Sequence, residues 1–202
     1  TDLANNATKQ IELFDQARRV PAQRQLVFGP TISVVGSAAA WTDPGFPAAG
    51  GRVETWLQFR NDKASGLGIP LPAGRVRVSR VDPGDNSLEF IGEDVIGHTP
   101  RDERVRVKLG SAFDVVGERR QVDFTSDTRA RWMEEEIEVE LRNRKDQPVE
   151  VQVRERLYRW SGWSVLSNSQ PFEKEDASTI VFNAKVPAGG ETRVRYRVRY
   201  SW

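Results

Sequence analysis

"RVRYRVRYSW", residues 193–202, decides the fold. Val194, Tyr196, Val198, Tyr200 and Trp202 fall on one side of an extended chain and Arg193, Arg195, Arg197 and Arg199 on the other, because successive side chains of a β-strand point to opposite faces. A helix of period 3.6 would scatter both sets. A strand with one apolar and one charged face belongs to an antiparallel sheet that packs one side on a core and keeps the other in water.

The same alternation recurs along the chain. "EIEVELRN" (136–143) opposes Ile137, Val139 and Leu141 to Glu136, Glu138 and Glu140. That acidic face matches the arginine face in spacing and opposes it in sign, so the two strands are expected side by side with cross-strand ion pairs. "RVRVSRV" (75–81), "RVRVKLG" (104–110) and "PVEVQV" (148–153) read as further strands. The Glu content of "WMEEE" (132–136) favours helix, so the strand there is expected to begin at Glu136. "QIELF" (10–14) reads as an edge strand. "PAAGG" (47–51), "PLPAG" (70–74) and "VPAGG" (186–190) each introduce an alternating segment, with Pro and Gly shaping the turn. "VETWLQFRNDK" (53–63) and "IEVELRNRK" (137–145) echo each other, both ending an alternation in Arg-Asn, one residue and Lys. The expectation is an all-β protein of two antiparallel sandwich-like units, residues 1–126 and 127–202, the second immunoglobulin-like, divided in the polar "DFTSDTRA" (123–130).

Composition narrows the function classes. Thirty basic and 29 acidic residues give a net charge of +1, which demands neither nucleic acid nor an anionic surface as partner. With no cysteine, disulfides, thiolate metal sites and cysteine nucleophiles are excluded. No apolar run approaches the ~18 residues of a membrane helix; "VVGSAAAW" (34–41) is too short. The opening "TDLANN" lacks an initiator Met and a leader, which suggests a processed or excised piece.

Four stretches in order, "GLGIPLPAGRVRV" (66–78), "FIGEDVIGHTP" (90–100), "GSAFDVVGERRQVDF" (110–124) and "VPAGGETRVRYRVRYSW" (186–202), resemble the C-terminal region of a bacterial family catalogued as domain of unknown function 4139; "TKQIEL" (8–13) resembles its start. The resemblance implies a β-rich domain of a larger, exported protein, periplasmic or extracellular, and brings no reaction or catalytic residue.

The single histidine sits in "IGHTPRDE" (96–103). His98 with Asp102 and Glu103 is the candidate acid/base group, and Glu93, Asp94 and His98 are the candidate metal ligands, since imidazole and carboxylate suit zinc or manganese. A hydrolase could instead use two carboxylates from Glu93, Asp94, Asp102, Glu103 and Asp114. Against this, there is no second histidine, no nucleophile elbow and no phosphate loop, and Pro100 with His98 or Thr99 suits an ordinary shaped turn. For binding, "LYRWSGW" (157–163) offers Tyr158, Trp160 and Trp163 as a platform for a sugar or protein, and Arg193, Arg195, Arg197 and Arg199 could track an anionic polymer. Glu155 breaks the alternation of Val149, Val151 and Val153, so it requires a bulge or a buried partner such as Arg154 or Arg156. In residues 110–124, Phe113, Val115 and Phe124 are expected in the core, Gly110 and Gly117 at turns, and Asp114 as a cap on backbone amides. The expected role is a non-catalytic structural or recognition module presenting a rigid β surface to an envelope polysaccharide, a protein partner or its own copies, with no cofactor. The alternative is a hydrolase or metal site around His98.

Overall fold

The computed structural model describes residues 16–29, 39–45 and 52–202. Among these there are eleven strands and no helix: β1 (Ala22–Phe28), β2 (Arg52–Arg60), β3 (Gly74–Val81), β4 (Leu88–Ile96), β5 (Arg104–Asp127), β6 (Trp132–Asn143), β7 (Val149–Arg156), β8 (Trp163–Asn168), β9 (Phe172–Lys174), β10 (Thr179–Val186) and β11 (Glu191–Ser201). The expected all-β class holds. "QIELF" and "PAAGG" lie outside the described residues, as does most of "VVGSAAAW".

Nine strands form one sheet in the order β8-β11-β6-β5-β2-β1-β7-β10-β9, and β3 and β4 pair apart from it. All pairings are antiparallel except that of β1 with β7. The 24-residue β5 is the spine: its first half pairs with β2, and its second half, from Val115 on, pairs with β6. The sheet is therefore continuous across residues 126 and 127. "DFTSDTRA" is the end of β5 and the turn into β6, in which the Asp127 carboxylate accepts the amides of Arg129 and Ala130 at 3.0 and 2.9 Å.

The sheet curls so that its two ends face each other in a sandwich-like arrangement. Phe182 of β10 lies 5.6 Å, ring centre to ring centre, from Tyr196 of β11. Phe28, Val115, Ile137, Val139, Leu141, Val151, Val153, Val194 and Val198 fill the space between. Each such side chain, moved from water to a packed interior, contributes about 1.5–3 kcal/mol. Gly117 lies under the Phe28 ring, where any Cβ would overlap it.

Several local expectations need correction. The strand expected from Glu136 starts at Trp132, because β6 is held on both sides, by β5 and β11, and tertiary pairing overrides helix propensity. Gly110 and Gly117 lie within β5 and not at turns; Gly110, at φ 142°, sits where the register with β2 shifts. Val115 is buried and Phe124 packs against the core, but Phe113 is 94% exposed. Between Ser111 and Val116, β5 carries more residues than β2 opposes to it, and this bulged stretch turns Phe113 outward. It is the Asp114 carbonyl, accepting the Arg144 amide at 2.7 Å, that joins this stretch to the β6–β7 turn. The acid that caps amides here is Asp94, bonded to the N–H groups of Val95 and Lys108, both at 2.8 Å.

The echo between residues 53–63 and 137–145 has a structural counterpart. Asn61 and Asn143 are both fully buried just past or at the end of a strand. The Asn61 side-chain N–H₂ donates to the carbonyls of Ile69 and Pro100 (2.7 and 2.9 Å), and that of Asn143 to those of Gln147 and Pro187 (2.8 and 3.0 Å).

Candidate functional site

His98 and its neighbours do not form a constellation. His98 is exposed at the base of the β3–β4 arm and accepts the Ala73 amide at 3.3 Å through Nδ1. Leu71 and Thr99 bridge the two loops there by reciprocal backbone bonds of 2.9 Å. Asp102, at φ 69°, donates its amide to the Asn61 carbonyl, and the Glu103 carbonyl accepts the Asn61 amide. These two candidates thus meet Asn61 through their backbones. Glu93 is occupied by Arg75 and Arg77, and Asp94 by backbone amides. Among the described residues no three His, Cys, Asp or Glu side chains gather as a metal site. The shallow hollow beside His98 is lined by Pro70, Leu71, Pro72, Thr99 and Pro100 and offers neither a second base nor a carboxylate.

The arginine ladder meets the acidic strand as expected. Register places Arg193, Arg195, Arg197 and Arg199 opposite Glu140, Glu138, Glu136 and Glu134. Arg193 reaches Glu140 at 3.2 Å, Arg195 pairs with Glu138, Arg197 reaches Glu136 at 2.8 Å and Asp123 at 2.6 Å, and Arg199 reaches Glu134 at 3.0 Å. β5 adds a third rail: Arg120 covers Glu138 from the other side, leaving it almost without exposure, and Arg142 bridges Glu140 and Glu118. Hydrogen bonds from Arg195 and then Arg120 hold the Glu138 carboxyl below the usual glutamate range. This face is a charge-balanced lattice whose guanidinium groups already have carboxylates.

The aromatic candidates turn inward. Tyr158 is buried, and Trp160 and Trp163 pack against the core. Trp163 donates its indole N–H to the Ala177 carbonyl at 2.9 Å, and the Lys174 ammonium lies 4.8 Å from its ring centre.

Beneath them lies a buried ionic cluster that pattern reading found only at Glu155. Its partner is Arg119 of β5, not Arg154 or Arg156: Arg119 Nε donates to Glu155 at 2.9 Å, and the Tyr196 hydroxyl donates to the same oxygen at 2.6 Å. A second pair, Arg159 and Glu135, stands at 2.9 Å, with the Tyr200 hydroxyl donating to Glu135 at 3.1 Å. Arg159 also donates to the carbonyls of Trp41 and Asp43 (2.8 and 2.9 Å), and Gln121 bonds Glu135 and accepts the Gly45 amide. Residues 39–45 are thereby stapled over the cluster. Burial, then the nearby Glu155 and Glu135 carboxylates, push the Tyr196 and Tyr200 hydroxyls well above their ordinary range; Tyr158 moves the same way for the same reasons. Burial opposes the charge on Arg119, but Glu155 outweighs it and the guanidinium stays protonated. All three tyrosines of the chain belong to this sealed region. Charges so placed are held away from solvent and compensated by one another.

What the molecule does offer is the β3–β4 arm and the adjoining face of β5. The arm is rooted by Asp94 on Lys108 and by Gly92, whose missing side chain lets β4 lie directly on the Leu109 backbone. The register pairs Val81 with Leu88 and Ser79 with Phe90, so alternation places Val81, Leu88 and Phe90 on one face, toward the tip. They are 55, 72 and 60% exposed. Behind the arm lies an open cleft of about 570 Å³ whose lining includes Leu57, Val78, Ile91, Leu109 and the outturned Phe113. No family model, no curated protein and no solved structure matches this chain.

Proposed function

We propose that this chain is a non-catalytic recognition module of an exported bacterial protein, docking a protein partner through the apolar face of the β3–β4 arm. The observation that carries the reading is the exposure of Val81, Leu88 and Phe90 together on one face of the arm. Exposed apolar groups gathered on one element mark an interaction site. Aliphatic and phenyl groups favour a protein surface over a sugar, which stacks best on tyrosine and tryptophan. Export rests on the family resemblance alone.

The same reading makes residues 127–202 an immunoglobulin-like sandwich. Supporting it, β8-β11-β6 and β7-β10-β9 are antiparallel triplets, and β7→β8, β8→β9 and β10→β11 each pass from one triplet to the other. β6 takes the outer place beside β11.

The test is a paired capture from bacterial envelope extract with the wild-type chain and a Leu88→Ser/Phe90→Ser variant of unchanged circular dichroism. A protein retained at least tenfold better by the wild type supports the docking face. Equal retention by both baits overturns it.

A further inference from the structure

Among the described residues four strands stand at sheet edges, namely β8 and β9 in the large sheet and β3 and β4 in the arm. An open edge presents unpaired backbone groups, and proteins guard it with charge. β3 carries Arg75, Arg77 and Arg80; β4 carries Glu89, Glu93 and Asp94; the three-residue β9 carries Glu173 and Lys174. β8 carries none. The run Ser161–Gln170, "SGWSVLSNSQ", has no charged residue in a chain that is 29% charged. Its inner neighbour β11 holds it through Trp163, Ser164, Val165, Ser167 and Asn168, and Leu166, the residue left over at the register shift, is 49% exposed.

We infer that β8 is a self-pairing edge, whose occupant is β8 of a second copy of this chain. A two-fold antiparallel contact sets each strand against its own reversed copy, so a strand that carries charges of one sign meets like charges. Self-pairing of β3 would bring arginines together, and of β4 carboxylates. β9, whose Glu173 could face the mate's Lys174, offers only three residues; β8 is the six-residue edge that meets its mate without repulsion, and it has no charge with which to select a charged partner. The pairing would join two sheets through β11-β8-β8-β11 and set the exposed Leu166 side chains near each other. The bulge at Leu166 shortens the paired run, so the contact is small and the dimer concentration-dependent. This surface is separate from the arm.

The experiment is sedimentation velocity on the full chain from micromolar to near-millimolar concentration, with Leu166→Lys, Leu166→Glu, their equimolar mixture, and Leu88→Ser/Phe90→Ser as the arm control. The wild type and the arm control should show a rising sedimentation coefficient, each charged variant alone should lose it, and the mixture should regain it. Circular dichroism checks that each variant is folded. A wild type that stays monomeric throughout, or a Leu166→Lys variant that associates like the wild type, overturns the assignment. Association lost in the arm control instead would transfer self-pairing to the arm and equally overturn the β8 edge.

Discussion

Asn61 and Asn143 occupy equivalent positions in two different strand pairs. Asn61 follows β2, and its backbone N–H bonds the Glu103 carbonyl just before β5; Asn143 ends β6, and its N–H bonds the Gly190 carbonyl just before β11. In each case the side-chain amide then ties its own loop to the loop that leads into the partner strand. A short polar side chain at a strand end is the one group that can satisfy both loops from inside.

Replacing either asparagine with alanine removes two hydrogen bonds to loop carbonyls from a buried side chain. Asn61→Ala and Asn143→Ala are each expected to cost about 1–3 kcal/mol in denaturant unfolding. Because they share no partners, the double variant should lose the sum to within about 0.5 kcal/mol.

The Arg119–Glu155 pair predicts a strong coupling. Glu155→Leu alone leaves a buried guanidinium facing apolar neighbours and should cost about 3–5 kcal/mol. Adding Arg119→Met should recover most of that loss. A double-mutant cycle that shows no coupling would contradict the buried pair.

Alkaline pH should unfold the protein through its tyrosines. The unfolded chain releases tyrosine protons near pH 10, whereas folded Tyr196 and Tyr200 hold theirs well above that. The unfolded state then binds fewer protons, so stability is full below about pH 10 and falls as pH rises beyond it, by roughly 1.4 kcal/mol per pH unit for each such tyrosine. Tyrosinate absorbance and loss of β-structure should appear together in one transition. Early ionisation without unfolding would show the hydroxyls to be accessible.

Gly92→Ala places a methyl group into the Leu109 backbone. It should lift the arm and speed amide exchange in β3 and β4 while leaving exchange in β6 and β11 unchanged.

Two phenylalanines of opposite burial should respond differently. Phe113→Ser, at an exposed position, should stay within about 0.5 kcal/mol of wild type, and Phe28→Ala should cost about 3–5 kcal/mol. Thermal melts distinguish them.

Much of this architecture was legible where alternation was strict. The facing of β6 and β11 followed from charge spacing alone, and Glu155 announced itself by parity with Val149, Val151 and Val153. The same parity applies to Glu135, in step with Met133 and Ile137, and to Arg119, in step with Val115 and Gly117; a run of consecutive charges obscured both. Phe113 escaped because a bulge reverses parity, and Gly110, the residue that marks the register shift, reads equally well as a turn. The arm's exposure was equally hidden, since alternation tells that a strand has an apolar face and not whether anything covers it.

The acidic half of the ladder has a role before the ladder exists. At about 5–20 residues per second, synthesis takes several seconds to pass from Asn143, the end of β6, to Glu191, the start of β11. During that interval β6 stands with one side paired to β5 and the other open. Glu134, Glu136, Glu138 and Glu140 make that open side repel its counterpart on any neighbouring nascent chain and await β11, whose arginines match them. A lattice that adds little to the finished protein thus protects the unfinished one from the wrong partner.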